Sequence, residues 1–536
     1  MKKSKKLLSL ILVLSIMLSL AAPMMTASAA YAPYPVVYVE GSGHSLYSDN
    51  ANPSDENKIF PIEAEFATEV KKALEPCLKE LAAGAITGNY DKYCDELYNA
   101  IAPIYDEVRL DKNGEASDGS GCGVDMTKKN IPAKTGNYNL SGYYFEYDWR
   151  LSPITHAEQL KDYIDRVKAV TGKDKVCLVG RCLGGNVVAA YLTTQKEHAE
   201  QSIDSVLMYI SSAMGFELIG NVFSGKIKLN SSDVETFANY FLENKNLIDD
   251  PVTLEFVTTF ISVLEYASVL GVGTDMLQMI FDKVKDNIVP RLVRDTYGSF
   301  PSYWSMCNAD NYLDARNFAF KGVEEEYAGM IEKTDAYYYD VQLKLYDTIE
   351  ELESKGINTS VIAKYNLPMV PVYDNASEQG DVLAGTKDIS FGATCAPYNS
   401  TLSDSYIDSL EDSRFVSSDK KIDASTCLIP ERTWFIKNIA HAAFPGCINE
   451  LILEIFASHS TMTVFDNEKF PQYLDYDETA GTITPVSGLD EEPTDMNDDM
   501  QKASFFIRFF TALMNFLKKL FSGEIDLGGL LGGEEA

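Results

Sequence analysis

The sequence predicts an α/β fold: a mostly parallel sheet with helices on both faces, interrupted by a block of helices. Three observations predict it. Short apolar runs of strand length alternate with helical patterns between residues 34 and 212, which is the chain order that winds a parallel sheet. From about Ala213 to Gly356 helical periodicity dominates, and strand character returns at Thr359. Between them stands Lys175-Val176-Cys177-Leu178-Val179-Gly180-Arg181-Cys182-Leu183-Gly184-Gly185-Asn186-Val187-Val188-Ala189-Ala190-Tyr191-Leu192. An apolar strand ends at a glycine, a nucleophilic residue follows one position later, and two glycines open a helix of small side chains. That is a nucleophile elbow, whose cramped turn admits only glycines at its flanks. Cys182 holds the nucleophile position, aimed at a helix N-terminus that favours thiolate.

Taken in order, the chain begins with Lys2, Lys3, Lys5 and Lys6, then an unbroken apolar run from Leu7 to Leu20, then Ala27-Ser28-Ala29. These are the three regions of a secretory signal peptide, assigned to residues 1–29 and too short for a membrane span. Export to the outside or the cell surface is the expectation, and no cysteine follows the cleavage site to take a lipid.

Tyr34 to Val39 reads as a buried strand running into Glu40-Gly41-Ser42-Gly43-His44. In an elbow architecture this loop donates one backbone N–H to an oxyanion and the residue after the nucleophile donates the other. The donors are assigned to Ser42, with Gly43 the near alternative, and to Leu183. Helical periodicity follows over residues 62–110, with Pro76 marking a kink or boundary, and then a Gly/Ser/Asp loop at 113–125. Tyr143 to Tyr147 forms a strand that ends at Asp148-Trp149-Arg150. Leu160, Ile164 and Val167 recur at helical spacing, and Gly172 closes that helix before the elbow strand. Val206 to Ile210 supplies the next strand. Residues 30–212 are thus the first part of the core.

Residues 213–356 read as an inserted helical cap, with helices over 232–247, 251–269, 274–292 and a long acidic one over 322–355. Tyr297-Gly298-Ser299-Phe300-Pro301 is a rigid turn able to face a pocket. The second part of the core, 357–476, resumes with Thr359 to Tyr365 and includes the strand Thr433 to Lys437, a loop with His441, and a helix from Cys447 to Phe456. A histidine between the last strand and the last helix is where the nucleophile needs its base. The chain has five histidines, and His459, just past that helix, is the one competitor. The base needs a carboxylate to fix its tautomer. Nucleophile–acid–histidine order puts that group between 182 and 441. Asp419 is assigned, because Asp-x-x-Ile sets it in a loop just before an apolar residue re-enters the fold. Asp423 and then Asp374 are the alternatives.

Residues 477–500 are rich in Asp, Glu, Thr, Gly and Pro and read as a flexible acidic linker. In the tail, 501–536, Arg508, Thr511, Asn515, Lys518 and Ser522 recur every three or four residues against a wide apolar face. An amphipathic helix lying on a membrane surface and a helix docked on the body or a partner both fit that pattern.

The formal charge of −33 at pH 7 repels phosphate backbones and argues against nucleic acid as a partner. Nine cysteines are present. An odd number outside the cell flags one thiol kept free, and setting Cys182 aside leaves eight, enough for four bridges of undetermined pairing. With no Cys-x-x-Cys pair and no histidine cluster, no metal ligation is expected, and no cofactor.

The assembled segments resemble the lipase branch of the α/β-hydrolases, and particularly the lecithin:cholesterol acyltransferase-like and bacterial lipase group. Tyr147-Asp148-Trp149-Arg150 with its following helix, Val179 to Gly185, Tyr297-Gly298-Ser299, and Trp434 to His441 carry the resemblance. It implies an α/β-hydrolase fold with Cys182 as nucleophile, Asp419 as acid, His441 as base and Ser42 as oxyanion donor. The implied function is a secreted acyl hydrolase or acyltransferase working through a thioester on a lipid-like ester. Two departures stand out. Glu40-Gly41 replaces the usual His-Gly or Pro-Gly, and cysteine replaces serine, as in the similar box of polyhydroxyalkanoate synthases. A catalytically inactive surface or binding protein that kept the fold is the rival reading.

Overall fold

The structure is a computed structural model. It describes residues 31–60, 87–133, 137–140, 142–243, 274–374 and 378–489, with the isolated positions 77, 80, 81, 83, 84 and 376. Residues 1–29, expected as a signal peptide, most of residues 62–86, the helix expected over 251–269 and the tail at 501–536 lie outside the described residues.

Eight strands form one sheet: β1 Val36–Val39, β2 Tyr143–Phe145, β3 Val176–Arg181, β4 Ile203–Tyr209, β5 Asn358–Tyr365, β6 Thr433–Lys437, β7 Tyr473–Asp477 and β8 Thr482–Pro485. Their spatial order is β8-β7-β6-β5-β4-β3-β1-β2. Every neighbouring pair is parallel except β7–β8, which closes the edge as an antiparallel hairpin. Valine, leucine and isoleucine runs become central strands because helices cover both faces, so no polar alternation is needed. All seven residues of β4 are buried. Fully burying one such aliphatic side chain is worth about 1.5–3 kcal/mol, and the core grows around these strands.

Besides shorter helical segments, the described residues include the helices α1 Asp91–Ile101, α2 Pro153–Thr171, α3 Leu183–Thr194, α4 Glu217–Phe223, α5 Ser231–Glu243, α6 Thr274–Asp295, α7 Ala309–Ala319, α8 Ala328–Asp340, α9 Leu345–Ser354 and α10 Gly446–Ala457. Pro153 opens α2, where its missing N–H costs nothing, and Gly172 ends it in the left-handed region at φ 68°. The helix α3 is buried through its first ten residues, which is why its side chains are small and apolar. Helices α4 to α9 all fall between β4 and β5, in the stretch where sheet character stops.

Three expectations are corrected. The single helix over 322–355 is two, α8 and α9, separated by a 3-10 turn at Gln342–Lys344. The run 477–500 is not a linker from its start, because Thr482–Pro485 pairs with β7 and buries Ile483. All nine cysteines are free thiols. Cys77, Cys94, Cys177, Cys307 and Cys427 are buried, so these sulfurs behave as small apolar core atoms and not as bridge halves.

Candidate active site

Cys182 occupies the one-residue bend between β3 and α3, with φ 48° and ψ −123°. A side chain there is strained, and the bend persists because the surroundings over-determine it. Cys182 N–H donates to Tyr209 O at 3.1 Å, while Cys182 O accepts from Gly185 N at 2.9 Å and Ser212 N at 3.2 Å. The flanking glycines are steric necessities. A Cβ on Gly184 would lie 2.1 Å from Val39 O, and one on Gly180 would lie 2.8 Å from Gly185 Cα. Helix α3 can therefore press against β1 only with glycine at 184, and against its own strand β3 only with glycine at 180.

The loop after β1 lies on the nucleophile. A Cβ on Gly41 would stand 3.0 Å from Cys182 Cβ and 3.6 Å from its Sγ. Ser42 lines the same cavity as Cys182, and Leu183 is the first residue of α3. Of the two residues assigned as oxyanion donors, Ser42 thus shares the cavity with the sulfur and Leu183 follows it in the chain. Glu40, in that loop, is ion-paired with Arg181, the last residue of β3.

The structure brings His441 to Cys182. Its Nε2 is 3.0 Å from Cys182 Sγ, a hydrogen-bond contact across a sequence separation of 259. His441 lies in the loop between β6 and α10 and is 4 % exposed. Its Nδ1 is 2.7 Å from Asp381 Oδ2. Burial opposes charge on the imidazole, but the Asp381 carboxylate and Cys182 outweigh it and raise the His441 pKa to about 10.

Asp419 is not brought to His441, and this corrects the assignment of the acid. It is fully buried beside Lys437 Nζ, 2.9 Å away, and also accepts from Ser417 Oγ at 2.6 Å and Tyr365 Oη at 3.1 Å. That carboxylate neutralises a cation at the end of β6. Of the alternatives, Asp423 accepts from Tyr406 Oη at 2.8 Å and Asp374 pairs with Lys228 at 2.8 Å. His459 binds Asp204 Oδ1 at 2.9 Å, near the N-terminal end of β4 and so at the opposite end of the sheet from Cys182.

Asp381, at the base instead, sits in Gly380-Asp381-Val382-Leu383-Ala384-Gly385. Its Oδ1 accepts from Ala384 N at 2.8 Å and from Leu383 N at 3.3 Å, which turns the chain and leaves Oδ2 free for the histidine. The available signal was its company. A carboxylate alone in an apolar segment must find a buried partner, whereas Asp419 stands in the polar run Ser417-Ser418-Asp419-Lys420-Lys421.

A cavity opens over Cys182 and His441. Its apolar wall comes from Phe216 and α4, with Leu218, Ile219, Val222 and Phe223, and Tyr297 from the expected rigid turn also lines it. Among the described residues, no group of three His, Cys, Asp or Glu side chains is placed to hold a metal, and no helix is long and apolar enough to cross a membrane.

A family model for lecithin:cholesterol acyltransferase matches residues 141–265. The matched stretch contains β2, Asp148-Trp149-Arg150, the elbow, β4 and α4, while His441 and Asp381 lie beyond it. No curated protein matches the chain.

Proposed function

We propose, from the premise that this chain is an α/β-hydrolase of the lipase and lecithin:cholesterol acyltransferase-like branch, an enzyme acting on ester bonds, that it transfers acyl groups through a thioester on Cys182. One observation carries the reading: Cys182 Sγ, His441 and Asp381 form a continuous chain of contacts at 3.0 and 2.7 Å. That is the geometry of nucleophile, base and orienting acid.

His441, its pKa raised to about 10, already holds the proton on Nε2 at neutral pH, and the Cys182 sulfur paired with it attacks the ester carbonyl. The tetrahedral oxyanion is held by the N–H groups of Ser42 and Leu183. His441 then returns the proton to the leaving alcohol, and the acyl group stays on sulfur. In the second half, His441 deprotonates water or an acceptor alcohol, which attacks the thioester and frees Cys182. Asp381 keeps the Nδ1–H tautomer and supports the imidazolium. Because thiolate departs from the tetrahedral intermediate more readily than alkoxide, attack on an oxoester is less committed than with serine. Transfer from activated esters or thioesters suits this site.

The family match supports lipid esters as substrates, and the apolar wall from α4 suits an acyl chain. The helices between β4 and β5 act as its cap, and the enzyme works outside the cytoplasm, after removal of residues 1–29.

The test is mass spectrometry of the mature protein after incubation with short- and long-chain acyl esters. An acyl adduct on the Cys182 peptide, lost in His441→Ala, is the expected result. Absence of both adduct and ester turnover in the wild-type protein would instead identify an inactive binding protein on a hydrolase scaffold.

A further inference from the structure

Four consecutive carbonyls of the loop that carries His441 are held by cations. Lys364 Nζ donates to the oxygens of Ala440, His441 and Ala443, each at 2.7 Å. The guanidinium of Arg181 takes the remaining one, Ala442 O, through Nη2. Residues 438–445 have no helix or strand of their own, and although Ala440 O also accepts from Ala443 N at 3.2 Å in a turn, the loop's carbonyls need partners from outside it. Both cations rise from the sheet, since Lys364 is the penultimate residue of β5 and Arg181 the last of β3. The loop is thus tied to the ends of two strands of the central sheet.

Lys364 is fully buried, with its Nζ 5.4 Å from the centre of the Tyr209 ring. Three acceptors occupy all three N–H bonds of an ammonium, one more than a neutral amine offers. Burial pushes its pKa well down, and Arg181 adds to that, while Asp381 and Cys182 act in the opposite sense. The carbonyl cage and these two neighbours favour the charged form at the place where burial resists it.

We propose that Lys364 is the positioning residue of the base loop, its three bonds to the carbonyls of Ala440, His441 and Ala443 holding the His441 imidazole within reach of Cys182. It touches no reacting atom and acts through the loop. The inference rests on the Cys182–His441 pairing proposed above.

The test compares full-length wild-type protein with Lys364→Met, Lys364→Arg and His441→Ala. Three quantities are read on the folded fraction: the rate of Cys182 alkylation by iodoacetamide, and kcat and KM on one acyl ester. Lys364→Met is expected to lower the alkylation rate and kcat about 10²-fold, as a misplaced catalytic group does. KM should stay within about twofold, because the acyl wall is untouched. Lys364→Arg should recover part of the loss by restoring donors to the carbonyls. Should Lys364→Met fail to fold, Lys364→Gln, which keeps two N–H bonds, is read by the same criteria. A folded methionine or glutamine variant with alkylation and kcat within about twofold of wild type overturns the proposal. If wild-type Cys182 alkylates no faster than in His441→Ala, the nucleophile–base reading itself fails, a result distinct from the first.

Discussion

Asp381 holds His441 twice. Its Oδ2 lies 2.7 Å from the ring Nδ1, and its backbone oxygen accepts from the His441 N–H at 2.9 Å. The proposed acid and base are therefore one mechanical unit, although they are far apart in sequence. Asp381→Asn keeps the backbone bond and loses the charge. We expect it to remain folded while kcat/KM for an acyl ester falls about 10²–10⁴-fold, by analogy with the loss of an orienting carboxylate in serine enzymes.

Asp419→Asn should behave in the opposite way. It removes the carboxylate charge 2.9 Å from the buried Lys437 ammonium, and breaking a buried pair costs about 3–5 kcal/mol. Thermal denaturation should report the loss, and the surviving folded enzyme should turn over at close to the wild-type rate. A variant with wild-type melting and collapsed kcat would hand the catalytic role back to Asp419.

The pH dependence of stability follows from His441. Its pKa is raised from an ordinary 6.5 to about 10 by Asp381 and Cys182 against the opposing effect of burial. The folded state thus binds this proton more tightly than the unfolded chain does. That contribution is complete below about pH 6.5 and is lost as pH rises toward 10. Melting temperature should fall across this alkaline window, and Asp381→Asn should flatten the fall. An unchanged slope in that variant would show that other groups govern it.

Gly184→Ala tests the elbow. The added Cβ would meet Val39 O at 2.1 Å and Glu40 O at 2.5 Å, both backbone atoms that no side-chain rotation can clear. Overpacking of this kind costs about 1–3 kcal/mol or more. The loop carrying Ser42 should move with it, so activity should drop further than the melting temperature alone accounts for.

Ile219 and Val222 line the apolar wall on α4. Replacing either with tryptophan should shorten the preferred acyl chain, changing the ratio of kcat/KM for long against short esters by about 10–200-fold. An unaltered chain-length profile would mean that the acyl group lies elsewhere in the cavity.

The elbow was legible because its chemistry is steric. Only glycine fits at 180 and 184, and the pattern survives without any other information. The position of His441 was legible from topology, in the loop between β6 and α10, although β6 is not the last parallel strand, since β7 follows α10 and pairs parallel with β6. The acid was not. Carboxylates are plentiful in so acidic a chain, and Asp381 sits in an aperiodic loop where neither helical nor strand spacing singles it out. The hairpin strand Thr482–Pro485 was hidden by its polar, loop-like composition, since Ile483 is its one buried side chain and backbone pairing with β7 does the rest. The cysteines misled for another reason. Their number suggested bridges, while their apolar neighbours in sequence, as around Cys177, already suggested core.

The left-handed bend at residue 182 has one more consequence. Backbone held in so sparsely populated a region costs about 1–3 kcal/mol, and glycine would sit there without complaint. A Cys182→Gly protein should accordingly outlast the natural one in heat or denaturant. Under the proposed thioester mechanism the attacking sulfur is kept where the chain would be sturdier without it, a compromise of durability for reactivity written into a single amino acid.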